Sequence, residues 1–416
     1  MERLGSIAGG RMPSRRRWLA AMAGCTAAAA WPALARARCE ASATEVVLAP
    51  QTSGRVLRVE PGDPLLSLAA TARAARDGDT IEVAAGDYRG DVAAWPQSDL
   101  LIRGAGGRPR LIADGRSAED KAIFVIKGQR VRVEGLEFRG VRVRDRNGAG
   151  IRQESGPLTV HDCVFADNEN GILSGNIPTM ELAISNSIFL DNGNDAGSAH
   201  NLYAGAMERL HVEGCWFGRS RVGHLLKSRA RVNVVRYSRL AGENGTGSYE
   251  LEFAEGGEAI VLGNLIQQGP ASENQTVVSY GVEGYRWPNN TLTMAFNTIV
   301  NDRIKGGTFV RVSKGAAHVT LAHNLLVGRG SLAIDAPLTS IDNVEAMRRD
   351  FANADDLDYR LRAASKLVGR AGFHGASDAS VGLPAREYMH EASSCALEGM
   401  TSLTPLSPGA FQRLAQ

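Results

Sequence analysis

The 416-residue sequence predicts an all-β chain wound into a parallel β-helix. Three observations carry this: a short apolar pattern that recurs eight times, a second short strand between consecutive copies, and no helical pattern of crossover length between them. The pattern is apolar-x-apolar, two residues, a small or polar residue, any residue, then apolar. It reads VRVEGLEF from Val131, LTVHDCVF from Leu158, LAISNSIF from Leu182 and LHVEGCWF from Leu210. NVVRYSRL from Asn233, AIVLGNLI from Ala259, LTMAFNTI from Leu292 and VTLAHNLL from Val319 complete the set. Successive copies start 27, 24, 28, 23, 26, 33 and 27 residues apart.

Within each copy the apolar period is close to two, the signature of a strand. Between copies run AGIRQE, NGILSG, HNLYAG, HLLKSR, YELEF, VVSYG and TFVRV, with Gly, Asn and Asp marking the corners. Units of this length are too short for propeller blades of about 40 residues. The lack of crossover helices excludes a doubly wound sheet or a barrel of strands and helices. Strand–corner–strand units that bury their apolar side only by stacking make a solenoid.

A solenoid must close its ends. PLLSLAATARAARDGD (residues 64–79) reads as a capping helix near 64–76, set just before TIEVAAGDY. DLDYRLRAASKLVGRA (356–371) reads as a final coil, followed by an irregular tail. The organisation is therefore a leader (1–37), a linker (38–55), the β-helix (56–335), and a last coil with the tail (336–416).

The leader MPSRRRWLAAMAGCTAAAAWPALARA has a cationic front, an apolar middle and small residues before a cleavage site. Ser14-Arg15-Arg16-Arg17-Trp18-Leu19 resembles a twin-arginine export signal, which implies a periplasmic or secreted protein. An ordinary secretory signal and a lipoprotein anchored through Cys25 are the alternatives. Residues 1–37 contain six arginines and one glutamate, so the mature chain carries 2 − 5 = −3. That balance excludes a basic nucleic-acid binder. Beyond the leader no apolar run reaches the roughly 18 residues of a spanning helix, and the chain is expected to act as a monomer. Cys163 and Cys215 share an interior offset with one coil between them, at Ser187, which reads as stacked thiols, while Cys39 and Cys395 would join the two ends.

DGDTIEVAAGDY at the first coil and the repeated Asn-x-Ile/Phe corners resemble the right-handed parallel β-helix proteins of the pectate-lyase superfamily, over roughly Val56 to Ala371. LLKSRARVNVVRYSRL is similar to a local stretch of the polysaccharide lyase family of alginate lyases and chondroitinase B, about 35 residues in all. That resemblance implies a proton-abstracting base at Lys227. The arginine that the family places in the following strand has no counterpart in YELEFAEGG, unless Arg229 replaces it.

The second strands carry the candidate chemistry: Arg152; His200 and Tyr203; His224, Lys227 and Arg229; Glu250 and Glu252; Tyr280 and Glu283. One reading is a ladder of cross-strand ion pairs, Lys227 and Arg229 against Glu250 and Glu252. The other is β-elimination on a uronate-containing acidic polysaccharide. It needs a cation on the substrate carboxylate, a base for the α-proton and an acid for the leaving oxygen. Arg229 would neutralise, Lys227 would be the base, and Tyr203 or His200 the acid. A tight Lys–Glu salt bridge would spoil the lysine as a base and shift that burden to His200, His224 or Tyr203. Tyr285 and Trp287, in the longest insertion, would stack on sugar rings or close the loop. Arg152, Glu250, Glu252, Tyr280 and Glu283 would line the substrate. The sequence requires no cofactor. A Ca²⁺ ion on Asp167, Asp191 and Asp195 competes with an asparagine and aspartate ladder at the corners. A non-catalytic exopolysaccharide-binding or assembly factor and a C5-epimerase are the alternative functions.

Overall fold

At the fifth position of every one of the eight copies the chain adopts a left-handed backbone conformation: Gly135, Asp162, Asn186, Gly214, Tyr237, Gly263, Phe296 and His323 all have φ between 48° and 67°. The computed structural model, which describes residues 50–372, 382–397 and 405–415, shows what this does. Each copy is two strands with a sharp corner inside, not one. Val131–Glu134 and Glu137–Arg139, for example, belong to different sheets. With the intervening strand the coil therefore has three sides. The sequence pattern hid the corner because the pleat resumes in phase beyond it.

The three sides form parallel sheets of 12, 11 and 10 strands, called A, B and C in the order the chain visits them, in a right-handed β-helix. Sheet A runs from Val56–Val59 to Leu338–Ile341, and sheet B from Asp87–Arg89 to Val344–Ala346. Sheet C runs from Ala93–Trp95 to Gly330–Ile334. Leader and linker residues 1–49, with Cys25 and Cys39, lie outside the described residues. Cys395 is disulfide-bonded; Cys163 and Cys215 are free, so its partner also lies outside them.

Inside, the eighth residue of the first four repeats is Phe, and these rings form one column. Phe138, Phe165, Phe189 and Phe217 stack with centroids 5.0, 4.6 and 4.6 Å apart and planes within 12°. Gly150 and Gly171 leave room for them: a Cβ on either would lie within 2.7 Å of a ring carbon. Beside the column, the sixth repeat residue lines the A–B corner. The main-chain N–H of Cys163 donates to Ser187 Oγ (3.1 Å) and that of Cys215 to Ser238 Oγ (3.1 Å). From Asn264 the file becomes a continuous amide ladder through Asn297, Asn324 and Asn343, in which each side-chain oxygen accepts from the preceding asparagine's main-chain N–H. Burial pushes both thiols up to about 12, so they are inert core groups. A second ladder, Asn168–Asn192–Asn201, closes the corner between sheets B and C.

At the N-terminus, Pro64–Leu66 is a 3₁₀ turn and Leu68–Ala74 an α-helix. Ser67 caps the helix by accepting from the Ala70 N–H, and Asp91 accepts from Leu68 and Ala69. At the other end, 356–371 does not add a parallel coil. Phe351–Asn353 pairs antiparallel with Asp358–Leu361 and seals the sheet B side. Part of the tail is a second antiparallel hairpin, Arg386–Met389 with Ser393–Ala396. No helix among the described residues is long and apolar enough to cross a membrane.

Asn297→Ala tests the ladder. It strands the buried Asn264 N–H and the Val261 carbonyl that Asn297 now satisfies. Stability should fall by about 3 kcal/mol in urea unfolding, with little change in far-ultraviolet circular dichroism at zero denaturant.

Candidate functional site

Register brings the candidates together. On sheet C, Tyr203 sits beside Lys227, Lys227 beside Glu252, and Glu252 beside Ser279, one residue per coil on the outer face. Arg229 follows Lys227 by two residues and lies just past the strand end. The insertion 281–290 folds back toward these coils: the Glu283 N–H donates to the Ala254 carbonyl (2.9 Å) and the Trp287 indole N–H to the Arg229 carbonyl (3.0 Å).

The Lys227 ammonium lies 3.0 Å from Glu252 and 2.6 Å from Glu283. Arg229 contacts the same Glu283, lies 3.3 Å from Glu255, and donates to the Tyr203 hydroxyl oxygen. Its guanidinium carbon sits 5.2 Å from the centre of the Tyr203 ring. Glu283, 37% exposed, is therefore one carboxylate held by two cations. Burial alone would depress the Lys227 ammonium, but Glu252 and Glu283 outweigh it and hold its pKa above the ordinary lysine value. Burial pulls Arg229 the same way, and Glu283, Tyr203 and Glu255 again win. Glu252 is held low by His224 and Lys227 against its own burial, and Glu283 by Lys227 and Arg229. The salt bridge is tight, and Lys227 is charged.

The histidines stack behind this network, His200 on His224 at 4.7 Å. Burial, reinforced by the charges of His224, Lys227 and Arg229, drives His200 well below the ordinary histidine value, so it is neutral. Its Nδ1 accepts the His224 main-chain N–H at 2.9 Å, which puts the ring proton on Nε2. His200 is thus a hydrogen-bond donor rather than a base. His224 accepts the Tyr249 N–H at Nδ1 (3.4 Å) and sets Nε2 3.1 Å from Glu252.

Several candidates lie elsewhere. Glu250 does not pair with Arg229: just before its strand it turns inward and accepts from Gln268 (3.0 Å), both side chains buried. Burial raises its pKa well above the ordinary glutamate value. Tyr280 does not line a substrate surface. It alternates with outward Ser279, so it is fully buried, and its hydroxyl donates to the Gly257 carbonyl (2.5 Å). Tyr285 braces the insertion, donating to the Ser313 carbonyl (2.6 Å) and packing on Tyr280 at 5.7 Å. Arg152 is on the same outer file, two coils before Tyr203. Asp167 is held by Arg142 and Arg221, and Asp191 by Arg219, while Asp195 is exposed. The described residues contain no group of three or more His, Cys, Asp or Glu placed to hold a metal. Glu255 was missed from sequence. Its only signal is its place just before the Gly256-Gly257 corner, where it meets both Arg229 and Arg286.

No protein-family model and no curated protein matches the sequence. Among solved structures, the fold is similar to pectate lyase Pel9A, with a TM-score of 0.56 and 15% identity over 90% of this chain and 100% of that one. Geobacillus virus E2 ORF18 matches with a TM-score of 0.47 and 13% identity, over 70% and 61% of the two chains. The PL6 family alginate lyase AlyGC matches at 0.32 and 15%, over 72% and 51%. At this identity the likeness to Pel9A is one of fold.

Glu250→Gln reads the buried carboxyl. Above the ordinary glutamate range the unfolded chain gives up a proton that folded Glu250 keeps, so the wild type loses stability as pH rises toward the folded value. The isosteric amide carries no such proton. Its melting temperature should exceed that of the wild type by about 1–3 °C near pH 8, a margin that vanishes near pH 4.

Proposed function

We propose that the protein acts on a uronate-containing acidic polysaccharide by β-elimination at the Tyr203–Lys227–Arg229 site. The observation that carries this is Glu283, a half-exposed carboxylate seated between two charged cations. A uronate carboxylate would replace it on Lys227 and Arg229, and pairing that negative charge acidifies the adjacent C5–H.

Lys227 then serves as a neutraliser, not the base, because its two glutamates keep it protonated. Proton handling falls to Tyr203. Its oxygen accepts from the same guanidinium that would hold the carboxylate, so it lies beside the carbon next to that carboxylate. With its own proton released to solvent, the Tyr203 oxygen takes the C5 proton, the C4–O bond breaks, and the C5–H electron pair becomes the C4–C5 double bond. The phenol then returns its proton to the leaving oxygen. The leader and the disulfide at Cys395 support export to an oxidising compartment.

The test is formation of ultraviolet-absorbing unsaturated uronides from a panel of acidic polysaccharides. Tyr203→Phe should lower kcat by about 10²–10⁴-fold with KM nearly kept. Arg229→Ala should raise KM and lower kcat together, and Glu283→Gln should lower KM. Product with inverted C5 and no unsaturation would identify an epimerase. Binding without any product would identify a binding or assembly factor.

A further inference from the structure

The outer file of sheet C continues in both directions from Lys227. Register runs Arg152, Leu173, Tyr203, Lys227, Glu252, Ser279, Arg311, one residue per strand. Arg152 and Arg311 are each three strands from Lys227. At about 4.8 Å per strand both lie roughly 14 Å from it along the axis, in opposite directions.

The two outlying arginines are under-partnered. Arg311 is exposed, with no carboxylate within salt-bridge distance among the described residues. Arg152 meets only Glu154, at 3.8 Å, and its Nε is buried with no hydrogen-bond partner among the described residues. The positions between stations carry no other basic side chain: Leu173 and Tyr203 on one side, Glu252 and Ser279 on the other. Of these Glu252 is paired with Lys227.

We infer that an extended acidic polysaccharide lies along the helix axis on three cationic stations, Arg152, Lys227–Arg229 and Arg311, and that Arg311 is a substrate-binding residue outside the reacting centre. This rests on the uronate reading of the central site. A pyranose unit in an extended chain advances by roughly one strand spacing, so every third uronate meets a station. The Arg311 contact is weak alone because it is exposed and screened. Tethered on one chain the contacts add through effective concentration, so affinity depends on polymer length.

The experiment measures binding by calorimetry, and uronide release, for oligosaccharides of defined length from polygalacturonate and alginate. Wild type, Arg311→Ala and Arg311→Lys are compared. Trimers should bind all three proteins equally. For oligomers long enough to reach Arg311, Arg311→Ala should weaken binding about two- to fivefold and flatten its salt dependence, and Arg311→Lys should restore most of it. An equal loss at every length, or none at any length, overturns the three-station register while leaving the central site intact. Length-dependent binding without uronide release supports the register and overturns the elimination step. Failure of wild type to bind any acidic polymer overturns both.

Discussion

Everything in this molecule depends on the left-handed residue at the A–B corner. It turns the chain by a fixed amount in every coil, and the residue after it meets its counterpart in the next coil at hydrogen-bond distance. At most of those positions the next coil offers Ser or Asn, whose side chain accepts the buried main-chain N–H. A bulky residue such as Tyr237, Phe296 or His323 in that conformation costs about 1–2 kcal/mol. The strain persists because a coil that relaxed it would lose its ladder bonds and slip its strands out of register. Register in turn decides which side chains become neighbours on the outer faces. Tyr203, Lys227 and Glu252 are more than 20 residues apart in sequence, yet occupy one file.

On that file the charge network resolves a conflict between stability and function. A lysine as buried as Lys227 is costly without partners. Glu252, beneath the surface and braced by His224, supplies a permanent one. Glu283 supplies a second, from a loop fixed by its own main-chain bond and by Trp287. Because one partner is buried and the other 37% exposed, Lys227 stays charged when the outer partner is displaced. The same arrangement keeps the Lys227 ammonium protonated, and Tyr203 meets Arg229 without a carboxylate of its own.

The repeat made the solenoid legible, since stacking is the way such short units bury their apolar faces. The third side of the coil was not legible, because the corner falls inside the pattern without disturbing its alternation, and half of the corner residues are not the Gly or Asn that signal such a turn. The site was legible to the extent that period two places residues on a common face: Lys227 and Glu252 followed from it. Tyr280 did not, because a one-residue offset sends a side chain from groove to core. Glu250 failed for another reason: it precedes its strand, where pleat no longer sets direction, and Gln268 offers it a buried partner. The bridging role of Glu283 was beyond reach, since it depends on the path of a ten-residue insertion anchored by its own main-chain bond and by the Tyr285 and Trp287 donors to distant carbonyls.

If the proposed site binds uronates, Glu283 also sets what a ligand must do. A carboxylate already on the protein competes at high effective concentration, and a single free uronate replacing it exchanges one ion pair for another with little net gain. A monosaccharide is therefore a poor ligand on physical grounds. The surplus has to come from contacts Glu283 does not make: ring packing against the groove, and charges farther along the file where Arg152 and Arg311 lack strong partners. Only a polymer reaches both. On the proposed reading the internal carboxylate keeps Lys227 and Arg229 paired and, by the same contact, disfavours a single free uronate.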